Sequence, residues 1–306
     1  MLIKPRTISY ELNMLRLLKR RMKFSPELAF HYENLEKGYT GETCFDQWLE
    51  NVTSDVLILH DLLLKVNLSY FQIDTLVIAP ASMYLCEVKY LKGNYYIDSQ
   101  SGKWYAQPKN ETKDPVLQLE RCETLFKQLL HQLRFFLSNV VPFVIFPHEE
   151  FTLLQAPLEL PLILPTQIPS LIRKLNNATG KLSNKHYEIA NKLSSLHIDR
   201  SPFVRLPHYE FQLLRKGIPC PICQRFMISL KNKIACDVCK YTEKSSISLL
   251  RSIKEFQFLF SEKSLTTFII HEWVDGICSK RSIRNVLVKH FDPVGYGKGT
   301  SFKNKN

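Results

Sequence analysis

"QIDTLVIAPASMYLCEVKYLKG", residues 72–93, is two apolar runs joined by a short turn. Each run carries a carboxylate, Asp74 or Glu87, where a half-buried strand favours Val or Thr. Residues two apart in a strand share a face, so Glu87 and Lys89 project together. Pro80 and Ala81 suit a two-residue primed turn poorly, because such turns need positive φ. A four-residue loop from Ala79 to Ser82, with Pro80 at the second position of a type I turn, is the natural alternative. That loop pairs Ile78 with Met83 and, counting back, Asp74 with Glu87. Two carboxylates facing each other repel, and the arrangement costs stability unless a cation lies between them. Mg²⁺ suits such a position, since it binds through one or two carboxylates while keeping several waters. Lys89 would then orient an attacking water or stabilise charge developing on a phosphate. The other reading of the same residues is a structural salt bridge in which Lys89 is itself the cation.

Outward from the hairpin, the pattern alternates. "KGYTGETCFDQWLENV" has Thr40 as a candidate N-cap and Phe45, Trp48 and Leu49 at helical spacing. "DVLILHDLLL" reads as a strand. "DPVLQLERCETLFKQLLHQLRFFL" reads as an amphipathic helix with Pro115 in its first turn and Leu117, Cys122, Leu125, Leu129 and Leu133 along one side. "VPFVIF" reads as a buried strand, with "FTLL" and "LPLIL" as shorter ones. Helix, three strands, helix, strand is an α/β order. Residues 1–35 read as a helical N-terminal extension, 36–165 as the α/β domain and 166–214 as a helical connector.

The ordered string of motifs resembles the nuclease-related domain (NERD) family, a branch of the metal-dependent PD-(D/E)xK nucleases. The likeness spans about residues 36–147. It rests on "GYTGE" (Gly38, Gly41, Glu42), "QIDTLVI", "LCEVKYLKG", "GKWY" with Trp104, and "DPVLQ" with Pro115 and Gln118. It implies a restriction-endonuclease-like core, a mixed sheet flanked by helices. It also implies that Asp74 and Glu87 bind Mg²⁺ or Mn²⁺, that Lys89 is catalytic, that Glu42 adds a carboxylate and that Gln118 supports the site. Two features depart from the family pattern: the turn "PAS" lacks the usual glycine, and Tyr90 follows the lysine where a polar residue is common.

The strongest single motif lies further on. "CPICQRFMISLKNKIACDVC" holds two C-x-x-C pairs, Cys220 with Cys223 and Cys236 with Cys239. Two such turns complete a tetrahedral structural Zn²⁺ site, and the intervening residues read as two short strands around Lys-Asn-Lys, a zinc ribbon over 215–245. A closed four-cysteine site leaves no open position, so this metal would support folding. Residues 246–306 read as a basic helical module. "LTTFIIHEWVDGICSKRSIRNVLVKHF" is a helix, a turn near Asp275 and Gly276, and a second helix from Ser279, with helix-turn-helix character. Lys280, Arg281 and Arg284 early in that helix, with Lys231 and Lys233 in the ribbon, are candidate nucleic-acid contacts. "GYGKGTSFKNKN" reads as a flexible basic tail.

Charge agrees with that placement. The net charge is +12, and residues 215–306 hold 17 Lys and Arg against 7 Asp and Glu. A polyanion surface is therefore expected in the C-terminal third. No apolar stretch approaches the ~20 residues of a membrane span, and no phosphate-loop motif for an ATPase is present. Paired C-x-x-C cysteines with four scattered ones are metal-site arithmetic in a reducing, cytoplasmic setting. The expected function is a metal-dependent nuclease acting on DNA. The alternative is a non-catalytic DNA-binding or scaffold protein built on an inactive nuclease-like fold.

Overall fold

In the structure, a computed structural model describing residues 1–135, 139–230 and 233–305, the residues form two compact units. Met1–Tyr10 and His31–Val204 make the first, and Glu11–Phe30 with Arg205–Asn306 the second. The chain begins with β1 (Leu2–Lys4), α1 (Tyr10–Lys19) and α2 (Pro26–Leu49). Strands β2 (Leu57–Val66), β3 (Ser69–Ile78) and β4 (Ser82–Val88) follow, then short strands β5 (Gly93–Ile97), β6 (Trp104–Ala106) and β7 (Asn110–Thr112). Helix α3 (Pro115–Gln132), strands β8 (Asn139–Ile145), β9 (Phe151–Leu154) and β10 (Leu162–Ile163), and helices α4 (Ile168–Asn176) and α5 (Asn184–Ser195) complete the first unit, whereas α1 beyond Tyr10 and the start of α2 belong to the second.

The main sheet is mixed, in the order β1-β2-β3-β4-β8-β10, with β7-β6-β5-β9 as a smaller second sheet. The β3–β4 hairpin has the expected register, Ile78 opposite Met83 and Thr75 opposite Cys86, closed by a hydrogen bond from Ala79 N to Ser82 O at 2.9 Å. Side chains alternate between two cores. Leu76, Ile78 and Leu85 join Leu119, Phe126 and Ile189 from α3 and α5. Val77, Cys86 and Val88 join Phe45, Leu49, Leu171 and Leu175 from α2 and α4. Helices therefore cover both faces of the sheet, and each buried Leu, Ile or Phe contributes roughly 1.5–3 kcal/mol.

Several expectations need correcting. Residues 2–4 pair with β2 as a parallel strand, so the N-terminal stretch is not simply helical. Helix α2 starts at Pro26 and runs through Gly38 and Gly41; Thr40 is interior to it, its hydroxyl donating to Glu36 O at 2.8 Å rather than capping an N-terminus. Helix α3 does start at Pro115, capped by the Asp114 carboxylate, which accepts from Val116 N at 2.8 Å. Its buried side runs through Val116, Leu119, Cys122, Phe126 and Leu129, and Leu117 faces solvent instead.

In the second unit, β11 (Ile228–Leu230), β12 (Lys233–Ala235) and β13 (Thr242–Lys244) form a three-stranded antiparallel ribbon around the cysteines. Lys231 lies outside the described residues. Helix α6 (Ser245–Leu259), strand β14 (Leu265–Thr266), helices α7 (Thr267–Trp273) and α8 (Lys280–His290), and strands β15 (Phe291–Val294) and β16 (Ser301–Asn304) follow. The expected tail is thus an ordered strand: β16 pairs with both β14 and β15, anchored by buried Phe302. Phe211, Phe256, Phe260 and Trp273 form an aromatic cluster at the centre of this unit, ring centroids 5.4–5.9 Å apart. Arg21 crosses this core with its guanidinium 3.7 Å from the Trp273 ring centre and 2.8 Å from Glu255.

Candidate functional site

The two hairpin carboxylates sit where the sheet's backbone pairing is interrupted. The ladder between β2 and β3 skips Asp61 and Asp74, and Asp61 adopts φ of 51°. The pairs between β3 and β4 stop at Thr75 and Cys86. Asp74 fills the break with its side chain, Oδ2 accepting from Val88 N at 2.8 Å. Its main-chain carbonyl accepts from the Arg6 guanidinium at 2.9 Å. Lys4 Nζ similarly donates to the carbonyls of His60 and Asp61 at 3.0 and 2.9 Å. The N-terminal segment thus supplies two cations, Lys4 from β1 and Arg6 just beyond it, that satisfy carbonyls the sheet leaves open.

Alternation then divides the polar residues between two sides. Asp74 and Glu87 share parity with Leu76 and Leu85 and so face α3. There Glu87 Oε1 accepts from Gln118 Nε2 at 2.6 Å and lies 2.7 Å from Lys89 Nζ. Lys89 Nζ also donates to Gln118 Oε1 at 2.8 Å, closing a three-membered cycle of contacts. Lys89 keeps 28% of its side chain exposed, whereas Asp74 and Glu87 are 7% and 3% exposed. The ammonium therefore has access to solvent above two carboxylates that do not. Burial, with Glu87 and Glu42 close by, pushes the Asp74 carboxyl well above its ordinary range.

Glu42 lies on the other side, carried by α2. It forms an ion pair with Arg6, whose guanidinium also donates to Asp46 Oδ2 at 2.7 Å and to Thr75 Oγ1 at 3.1 Å. His60 Nδ1 is 3.1 Å from Thr75 Oγ1 and 3.1 Å from Asp46 Oδ1. Burial pushes Glu42 up to about 7 against the opposing pull of Arg6, and pushes His60 down to about 4. The charge on Glu42 helps to raise the Asp74 carboxyl, and that on Glu87 helps to raise Glu42. Yet the three carboxylates do not close into a tight group: among the described residues, three or more ligand atoms lie within 4.8 Å of one another only at the four cysteines.

Gly41 explains how α2 comes so near. A Cβ there would lie 2.4 Å from Tyr90 Cβ, so only glycine lets the chain beyond Lys89 press against the helix beside Glu42. Tyr90 itself packs on the His148 ring at 4.8 Å, which accounts for an aromatic residue at that position.

Residues 37–147 match the family model for the nuclease-related domain (NERD). Residues 37–147 form a NERD domain. The matched span opens inside α2, just before Gly38, and closes two residues after β8, so it takes in Glu42, the hairpin, Lys89 and Gln118. Searches of curated proteins and of solved structures found no match. Arg6 lies outside the NERD span, and sequence reasoning missed it together with Asp46, His60 and Thr75. Arg6 in "IKPRTIS" carries no motif, and only the pairing of β1 with β2 brings it to the carboxylates.

The cysteines form the second candidate centre. Cys220 and Cys239 sulfurs are 3.5 Å apart and those of Cys223 and Cys236 are 3.3 Å apart, all four thiols free. That spacing and donor set could hold a metal ion such as zinc, for which sulfur ligands at ~2.3 Å are usual. Among the basic candidates, Lys233 is exposed in β12, and Lys280, Arg281 and Arg284 are exposed on α8. No described helix is long and apolar enough to cross a membrane.

Proposed function

We propose that the protein is a metal-dependent nuclease that hydrolyses phosphodiester bonds in DNA, with the NERD domain as catalytic centre. Support comes from the cycle of Glu87, Lys89 and Gln118 beside buried Asp74. A hard divalent cation fits this donor set: two buried carboxylates hold oxygen ligands, and their mutual repulsion favours a positive charge between them. Asp74 and Glu87 would hold Mg²⁺ or Mn²⁺, with Glu42 adding negative charge from the α2 side. A bound ion would polarise the phosphate and lower the pKa of a water nucleophile. Lys89, partly exposed, stabilises charge developing on the phosphate oxygens. Gln118 fixes both Glu87 and Lys89, accepting from the lysine while donating to the carboxylate.

In the second unit, one zinc ion held by Cys220, Cys223, Cys236 and Cys239 stabilises the ribbon, and the basic C-terminal residues hold nucleic acid. The eight free cysteines support a reducing, cytoplasmic setting. A second reading, an inactive nuclease-like platform that only binds DNA, draws on the Lys89–Glu87 ion pair, which supplies a protein cation to the carboxylates. Labelled single- and double-stranded DNA incubated with Mg²⁺, Mn²⁺ or no added metal decides between them. Cutting that needs metal and is lost in Lys89→Ala supports the nuclease; binding without cutting under every condition supports the platform.

A further inference from the structure

The basic C-terminal segment is more than a helix pair. Its order is helix, strand, two helices and a hairpin, and β14 pairs with β16 to join the three-stranded sheet β14-β16-β15. Helices α7 and α8 are linked by a tight turn in which Asp275 and Gly276 take φ of 56° and 64°. Ser279 caps α8, its hydroxyl accepting from Ser282 N at 3.2 Å. Ile283, Val286 and Leu287 are buried, which leaves Arg281, Arg284, Asn285 and Val288 on one exposed face. The β15–β16 hairpin then projects a loop, Gly295 to Thr300, beside that face. At its tip Tyr296 is 99% exposed between Gly295 and Gly297, whose φ values of 78° and 74° suit glycine.

Helix and hairpin share one cavity of about 400 Å³, lined by Lys280, Arg281 and Arg284 from α8, Gly297 and Thr300 from the loop, and Phe268 from α7. Among the described residues no carboxylate lines it, and neither α8 nor the loop contains Asp or Glu. The contrast within this unit is informative. Arg21 pairs with Glu255 and Arg251 with Glu243, so arginines used in its structure are neutralised by glutamate. Among the described residues, Lys280, Arg281 and Arg284 form no ion pair, and a fully exposed tyrosine stands next to them.

We infer that α8 and the β15–β16 loop form a winged-helix binding site for double-helical, B-form DNA. This rests in part on the proposed function, which already places nucleic acid at the C-terminal module, and it adds the form of that ligand. The helix face has the chemistry of base reading: arginine pairs bidentately with guanine, asparagine with adenine, and an exposed valine meets the thymine methyl group. Such a face fits the major groove of B-DNA, which admits an α-helix. The major groove of A-form RNA is too deep and narrow for side chains to read. Tyr296, carried one loop away from the helix, contacts the adjacent backbone or minor groove, and its hydroxyl can donate to a phosphate. The cation-lined cavity between them takes the intervening phosphate.

The test is fluorescence anisotropy of the full-length, zinc-loaded chain with a DNA duplex, an RNA duplex of the same sequence and the single DNA strand. No divalent metal is added, so cleavage does not interfere, and titrations are repeated across a range of salt. Duplex DNA is expected to bind at least an order of magnitude more tightly than duplex RNA. Arg281→Ala with Arg284→Ala should weaken DNA binding by roughly one to two orders of magnitude and lower the salt slope by about one to two. Tyr296→Ala should weaken binding with the slope unchanged, since tyrosine is neutral. Near-ultraviolet circular dichroism verifies that each exposed-residue variant is folded. Equal affinity for duplex RNA, unaltered binding by folded variants, or no duplex binding would overturn the inference. Binding here, together with no cutting when Mg²⁺ or Mn²⁺ is supplied in a separate cleavage assay, leaves it standing and overturns only the nuclease reading; metal-dependent cleavage that ignores these three residues does the reverse.

Discussion

Gly38 and Gly41 lie one turn apart in the same helix, yet replacing each by alanine should change stability in opposite directions. Both are interior to α2, where alanine is better than glycine by about 1 kcal/mol because it loses less backbone entropy. At Gly38 a Cβ would meet only Glu42 Oε1 at 3.9 Å, an ordinary contact, so Gly38→Ala should stabilise the NERD unit by roughly 0.5–1 kcal/mol. At Gly41 the new Cβ would lie 2.4 Å from Tyr90 Cβ and 3.0 Å from Tyr90 Cγ. A Cβ cannot rotate away, so α2 and the chain beyond Lys89 must separate. Overpacking of this kind costs about 1–3 kcal/mol, and the upper end applies because the clash involves atoms fixed to two backbones. Net of the helix gain, Gly41→Ala should destabilise by about 2 kcal/mol, which puts the two variants nearly 3 kcal/mol apart. Urea unfolding followed through Trp104 reads this directly, with Trp48→Phe and Trp273→Phe removing the other indoles. Trp104 is buried in the NERD core, its ring 6.1 Å from that of Phe146. Equal stabilisation by both alanines would show that Tyr90 does not press on α2, and the account of how Glu42 reaches the hairpin would fall with it.

Asp74→Asn should raise the melting temperature of the metal-free protein, because it replaces a carboxyl that burial, Glu87 and Glu42 make costly to ionise, while an amide oxygen can still accept from Val88 N. The same variant should lose the stabilisation that Mg²⁺ gives the wild type, which melting curves with and without the metal would reveal. Arg6→Gln strands Glu42 and Asp46 without their largely buried partner and should cost about 3–5 kcal/mol in urea unfolding, far above a surface ion pair. Cys236→Ser should lower zinc bound per chain in native mass spectrometry and speed amide exchange in β11–β13, since a closed thiolate site contributes folding energy to a segment too small to hold itself together.

The hairpin was legible because its constraints are local. A proline in the turn fixed the loop length, the loop length fixed the register, and the period of two set which residues share a face. The cysteines were legible for a similar reason, since two C-x-x-C turns need only a short hairpin between them to meet. Helix α2 was misread at its start because Gly38, Gly41 and Thr40 look like punctuation. Gly41 marks a close approach made by Tyr90, nearly 50 positions away in sequence, and such tertiary demands leave no local trace. The C-terminal residues were read as a loose tail because "GYGKGTSFKNKN" is rich in glycine and lysine. Phe302 is the one strong apolar signal there, and it is what anchors β16.

Asp74 is the joint between the two halves of the site. Its carboxylate points toward α3, into the group that holds Glu87, Lys89 and Gln118. Its carbonyl points toward Arg6, into the group that holds Glu42 and Asp46. A regular ladder would have used that carbonyl for strand pairing, so the break opposite Asp61 is what frees it for a cation. The end of the β3–β4 ladder at Thr75 and Cys86 leaves Val88 N to be satisfied by a carboxylate instead of by the sheet, which fixes where Asp74 can point. Charge on one side is thereby tied to geometry on the other: drawing Arg6 away would move the backbone that carries Asp74. The two readings raised by the hairpin, a cation held by carboxylates and a lysine serving as that cation, are therefore not exclusive. Lys89 pairs directly with Glu87, Arg6 pairs with Glu42 and Asp46, and Asp74, whose carboxyl burial drives well above its usual range despite the pull of Lys89, remains the group whose charge a metal would satisfy.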